Sequence, residues 1–231
     1  MYAFAQRKDT RVVDEPLYAH YLNATGARHP GRQEVLAAQD NDGNRVVREI
    51  ILGPCDRTVL FVKSMAHHLI DLDPAFIDQT VNVILTRDPH EMLPSLVYQI
   101  PEPMLSDTGL DQQCALLESL RKRGQDVPVL LAREVLLNPE AILRRLCDRI
   151  QLEFDPAMLS WAEGPIPEDG VWAPLWYHNV HRSTGFKPYR PKTDPFPQRL
   201  KPLLETCIPL FDHLAMHAFR VTAQAPGCGR T

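Results

Sequence analysis

Two side chains on one stretch of this 231-residue chain have the spacing to hold an anionic group. Thr80–Gln99 reads as a buried strand (Val81, Val83, Ile84, Leu85), a tight turn at Arg87-Asp88-Pro89, and a helix from about His90 that carries Ser95. A parallel strand running into a helix delivers polar groups to the carboxyl edge of a sheet, where open α/β folds bind ligands. Arg87 is a forked donor of fixed charge and Ser95, eight positions on, adds a hydroxyl, a combination suited to phosphate. The same pair fits a plainer role, with Arg87 bound to Asp88 or a surface acid and Ser95 facing solvent. Elsewhere, Glu15 ends a short strand beside Pro16 and could act as a general base, or as a partner for Arg11 or a helix cap. His67 and His68 are competing bases, because a neutral imidazole titrates near working pH, although a core histidine is the commoner fate. Neighbouring histidines on one turn do not easily chelate a single ion, and no partner stands at ligand spacing, so no metal is expected. Lys63 closes the run Thr58–Val62, where a strand-end ammonium either meets an anion or snorkels to solvent.

The elements that would position these groups alternate between strand and helix. Arg11–Asp14 is a short strand stopped at Pro16, and Leu17–Leu22 a helical turn. Arg32–Leu52 fits two amphipathic helices divided at Asn41-Asp42-Gly43-Asn44, and Asp73-Pro74 opens a short helix. Pro101–Thr108 reads as a polar loop long enough to form a flap, and Leu110–Arg123 as a helix. Val127–Ala132 reads as a strand whose Pro128 suggests a sheet edge, followed by a helix over Pro139–Ile150 capped by Asn138. The order implies a parallel α/β sheet with right-handed crossovers. Trp161–Pro197 holds seven prolines and all three tryptophans, and is expected to be an ordered loop wrapped over the sheet edge. A final helix is expected over Gln198–Phe219, with a flexible tail at 221–231. We expect residues 1–220 to form one domain.

Composition narrows the class. With 25 basic and 29 acidic residues the formal charge is −4, which gives no general case for nucleic acid or an anionic membrane. Any anion site must be local. Cys55, Cys114, Cys147, Cys207 and Cys228 lack metal spacing and are odd in number, which favours free thiols in a reducing cytoplasm. No apolar run reaches the ~20 residues that span a bilayer, and charges at Arg7, Lys8 and Asp9 break any signal-like start.

Several of these segments resemble, in order, the sulfotransferases that use 3′-phosphoadenosine 5′-phosphosulfate. Asp14-Glu15-Pro16-Leu17 is similar to the Glu-Pro-Leu turn of carbohydrate sulfotransferases, and Phe61-Val62-Lys63 with His67-His68 to the next strand and its Lys/His turn. Arg87 with Ser95 resembles the 3′-phosphate element, and His181-Arg182-Ser183-Thr184-Gly185-Phe186-Lys187 the late basic loop that closes over the nucleotide. The likeness is to bacterial members of this P-loop nucleotide-fold family and runs from Met1 to about Arg220. It implies a three-layer parallel sheet flanked by helices. The implied activity is transfer of a sulfonate from that adenosine co-substrate, without a metal, to a hydroxyl or amine of a small-molecule or carbohydrate acceptor. The implied roles are Glu15 or His68 as base, Lys63 as the cation at the sulfonate, and Arg87, Ser95, Arg182, Gly185 and Lys187 as nucleotide ligands. The lack of a membrane anchor implies a cytoplasmic protein, and nothing in the sequence specifies the acceptor or an oligomeric state.

One departure stands against these likenesses. The family opens with a strand and a phosphate loop, whereas Met1-Tyr2-Ala3-Phe4-Ala5 resembles the helix that follows that loop. The expectation is therefore an N-terminally shortened chain whose first strand, central between those ending at Lys63 and Arg87, is missing, and which alone is poorly stable and inactive. The alternative is a non-catalytic nucleotide-binding or interaction protein that keeps only the 3′-phosphate site. A P-loop kinase relative is disfavoured, since no Walker-type lysine loop or magnesium-binding acid pair is visible.

Overall fold

The computed structural model describes residues 1–220, and the tail expected at 221–231 lies outside the described residues. All strand pairing in it is parallel. β1 (Thr10–Asp14) pairs with β2 (Val59–Lys63), and β3 (Ile84–Thr86) with β4 (Val129–Leu131). These are separate two-stranded sheets, so among the described residues the expected single sheet is interrupted between β2 and β3.

The expected strand at Val81–Leu85 is shorter and less buried than its apolar sequence implied. Only Ile84 and Thr86 face the core, while Val81, Val83 and Leu85 are exposed. Two physical causes are visible. The Asn82 amide donates to the carbonyls of Ile77 and Thr80 and to Gln125, which ties residues 80–82 to a turn and not to a ladder. On the outer edge of β3 the Leu85 carbonyl accepts from the Gln113 side chain. Pro128 also sits differently from the edge position expected of it. It precedes β4, its carbonyl accepts from Ile84 N–H, and β4 is flanked on its other side by a bridge from Val129 to Ala218. A proline there loses no ladder bond.

Helices begin where their caps are. α5 (Pro89–Leu96) starts at Asp88, whose carboxylate accepts from His90 N–H, with Pro89 preset for the first turn. α9 (Pro139–Arg149) starts in the same way at Asn138. Part of the stretch expected to be a polar flap forms a helical turn, Leu105–Thr108, where Asp107 accepts from Met104 N–H. Two longer helices, α7 (Leu110–Lys122) and α12 (Lys201–Met216), pack together and close the main core with Ile84 and Val129.

The 161–197 segment is ordered and acts as a strap. Its base is pinned where Trp161 N–H donates to Thr184, Gly164 N–H to His181, and Gly185 bridges Ser160. A Cβ on Gly185 would lie 2.8 Å from the Leu159 carbonyl, so only glycine fits this close approach. Trp172, on the strap, is buried with Tyr18, Tyr21 and Leu22 of the helix Tyr18–Thr25.

Candidate active site

The carboxyl ends of β1 and β2 meet at a cluster of ionisable groups. Parallel register sets Asp14 opposite Lys63, and the next residue, Glu15, donates its N–H to the Lys63 carbonyl at 2.7 Å. Glu15 has φ +39°, a left-handed conformation that costs a non-glycine residue on the order of 1–3 kcal/mol. That conformation turns the chain so that its carboxylate binds the Lys63 ammonium directly. Asp14 lies 3.3 Å from the same nitrogen, with its side chain 1% exposed.

Tyr177, carried in by the strap, completes the cluster. Lys63 Nζ donates to its phenol oxygen at 2.7 Å, the Trp172 indole donates at 3.3 Å, and the phenol donates to Asp14 at 2.8 Å. Burial opposes the charge on Lys63, but Glu15, Tyr177 and Asp14 together outweigh it and raise its pKa. Lys63 is a fixed cation. Burial raises the pKa of Asp14, against the pull of Lys63. Burial and then Glu15 raise that of Tyr177, so the phenol keeps its proton.

His67 and His68 form the wall behind Glu15. His68 stacks between Tyr18 and Tyr21, with ring centroids 4.9 and 4.8 Å away, and its Nδ1 stands 3.9 Å from Glu15. Burial, then His67 and Lys63, push its pKa well below the usual histidine value, and burial brings His67 to about 4. Both rings are neutral near pH 7, and each has an Nδ1 with no partner among the described residues.

A second cluster lies on α5. Arg87 Nε is 3.8 Å from Glu91, one turn along the helix, and Ser95 follows one turn later. The strap reaches this cluster too: the Tyr189 hydroxyl donates to Glu91, and Lys192 Nζ donates to Ser95 Oγ at 2.7 Å. Burial, then Arg87, lower the pKa of Lys192. Two cations thus face one carboxylate held only loosely by Arg87.

The residues read from the sequence divide between these places. Glu15, Lys63 and His68 stand together at the strand ends, and Arg87 and Ser95 on one side of α5. Gly185 is at the strap's pinned base, and Arg182 and Lys187 are exposed beside it. Sequence reasoning missed Asp14, Tyr177 and Lys192 as members of the clusters. Asp14 lies within the Asp14-Glu15-Pro16-Leu17 turn, whereas Tyr177 lies in the proline-rich 161–197 segment, where no periodicity marks it. Among the described residues no group of three or more His, Cys, Asp or Glu side chains could hold a metal, and no helix is long and apolar enough to cross a membrane.

The family model of the sulfotransferase domain matches residues 1–219. The chain belongs to the sulfotransferase domain family. Two curated relatives from Arabidopsis thaliana, branched-chain-amino-acid aminotransferase-like proteins 2 and 1, are 39% and 40% identical over 218 residues. The match covers 94% of this chain and 39% of each relative, so this sulfotransferase-family chain spans about two fifths of their length. A solved structure, the sulfotransferase domain from the curacin biosynthetic pathway, aligns with 82% of this chain and 77% of its own at 12% identity and TM-score 0.39.

Proposed function

We propose that this sulfotransferase-family chain transfers a sulfonate from 3′-phosphoadenosine 5′-phosphosulfate to a hydroxyl or amine. The observation that carries the reading is the Glu15–Lys63 pair at adjacent strand ends, in a chain whose family model spans residues 1–219. Sulfonate transfer asks a protein mainly to position the reactants, stabilise charge and remove one proton. The nucleotide brings the activated sulfonate.

The chain's own residues supply the rest. Glu15 is the acceptor's base. Its left-handed backbone fixes the carboxylate, and the neutral His68 beside it adds no competing positive charge. Lys63, a cation throughout the working pH range, faces charge that develops during transfer. Tyr177 and Asp14 hold its ammonium in place.

Arg87, Ser95 and Lys192 are the proposed ligands of the nucleotide's 3′-phosphate. Their surroundings fit an anion, since burial and the Arg87 guanidinium disfavour the charge on Lys192 and the Arg87–Glu91 contact is too long for a hydrogen bond. Lys192 takes the part that the sequence resemblance gave to Arg182 and Lys187. Calorimetry with adenosine 3′,5′-bisphosphate against ATP with magnesium tests this reading. Binding of the first, lost in Arg87→Ala, supports it, and preference for ATP overturns it. Turnover of labelled donor separates an enzyme from the alternative, a protein that binds the nucleotide without transfer.

A further inference from the structure

A cleft of about 280 Å³ opens on the side of β1 away from β2. Its floor is Arg11–Asp14, one wall is Gln39, and the other is the strap from Glu168 to Trp172. In the β1–β2 ladder Asp9 accepts from Val59 and Glu15 donates to Lys63, so the odd-numbered residues face β2. The backbone groups of Val12 and Asp14 therefore point outward to the cleft. Gln39 is locked in place, accepting from Ala19 N–H and donating to the Glu15 carbonyl.

The charge around the cleft is negative. Asp14, Glu168 and Asp169 line it, and among the described residues the only lining cation is Arg11, half-exposed and 4.0 Å from Asp56. Behind Asp14, Lys63 shares its one positive charge between two carboxylates. Asp169 supplies an independent sign of a missing partner. Its Oδ2 accepts from Tyr2 at 2.7 Å and from Ile166 N–H at 3.1 Å and sits 2.9 Å from His181, while Oδ1 is buried with no partner. That side chain is 6% exposed. A buried carboxylate oxygen left unpaired is costly, and the residue that carries it lines the cleft.

We propose that this cleft binds the ammonium end of a small amine or amino alcohol. Asp169 and Glu168 receive the charge, and the outward carbonyls of β1 accept hydroxyl or N–H groups. The volume lies just below the usual range of ligand pockets, ~300–1,000 Å³, and so suits a molecule no larger than about a monosaccharide. Because Asp14 belongs to both the cleft and the Lys63 cluster, we assign the cleft to the acceptor. That last assignment rests on the sulfonate-transfer reading, whereas binding itself does not.

The test is a titration of the full chain, without nucleotide, with D-glucosamine and with D-glucose, an uncharged match in shape. It is followed by calorimetry and by the NMR resonance of the Trp172 indole N–H. Glucosamine is expected to bind at least about tenfold more tightly than glucose and to move the Trp172 signal. Asp169→Asn and Glu168→Lys should each remove that preference. Glu168 is exposed, so its variant folds even where Asp169→Asn does not, and its affinity for adenosine 3′,5′-bisphosphate should be unchanged. Equal binding of the two sugars, binding that leaves Trp172 unmoved, or a preference that survives Glu168→Lys overturns the proposal. So does no binding of glucosamine up to about 10 mM, weaker than the millimolar end of specific affinities. Selective binding with no sulfonate appearing on glucosamine would retain the cleft and remove the acceptor assignment.

Discussion

Lys63 and Tyr177 are 114 residues apart in the chain and 2.7 Å apart in the fold, with the ammonium donating to the phenol oxygen. Through this bond the strap is joined to the ends of β1 and β2, because the same phenol donates onward to Asp14. The Asp14 carboxylate, 1% exposed, is thereby kept from water.

Tyr177→Phe should therefore destabilise the protein. It removes one acceptor from Lys63 and one donor from a buried carboxylate, and a buried polar group left without its partner costs about 1–3 kcal/mol. The urea midpoint should fall by a corresponding amount with the slope unchanged. An unchanged midpoint would mean that the phenol contributes no net stability.

Glu15→Gln keeps the size of the side chain and removes its charge. If Glu15 takes the acceptor's proton, turnover should drop by about 10²–10⁴, the usual contribution of a positioned base. Adenosine 3′,5′-bisphosphate should bind as before, since the Arg87 cluster is untouched. Equal losses of binding and turnover would instead point to a collapsed site.

Lys192→Ala should weaken adenosine 3′,5′-bisphosphate by about tenfold or more, in keeping with loss of a charge-assisted bond. Lys187→Ala and Arg182→Ala should change affinity little, because both stand beside the strap's pinned base and, among the described residues, only Lys192 of the three hydrogen-bonds to Ser95. The reverse order, measured by the same calorimetry, would return the nucleotide contact to the 182–187 loop.

Glu15 and Lys63 were legible because each ends an apolar run, and the parallel register then sets neighbouring strand ends together. Arg87 and Ser95 were legible because Asp88 and Pro89 mark the start of a helix. The strap was different. It has no periodicity, so which of its basic or aromatic residues touches a strand end depends on where it is pinned, and Gly185 at Ser160 settles that only in three dimensions. Val81, Val83 and Leu85 misled for a related reason: apolar residues announce a strand, but not whether anything covers its second face.

The neutral His68 gives a pH prediction. Its pKa in the fold lies well below 6.5, the value it regains on unfolding, so below that pH the unfolded chain holds the extra proton. Stability contributed by the buried neutral ring is complete above about pH 6.5 and is lost as pH falls toward the folded value, by about 1.4 kcal/mol per pH unit for each such proton. His67, with its pKa lowered to about 4, acts in the same direction. Asp14, whose pKa is raised by burial, acts in the opposite sense over an acidic range, so the raw pH profile mixes the two. The difference between wild type and His68→Phe isolates one proton. Phenylalanine can keep the stack between Tyr18 and Tyr21, and it removes an Nδ1 that has no partner. Urea unfolding of the two proteins between pH 7 and 5 should show wild type losing stability faster, with the gap widening by about 1.4 kcal/mol per unit once below pH 6. Parallel profiles would mean that His68 takes up its proton over the same pH range folded and unfolded, with Glu15, 3.9 Å away, offsetting the cost of burying the charged ring.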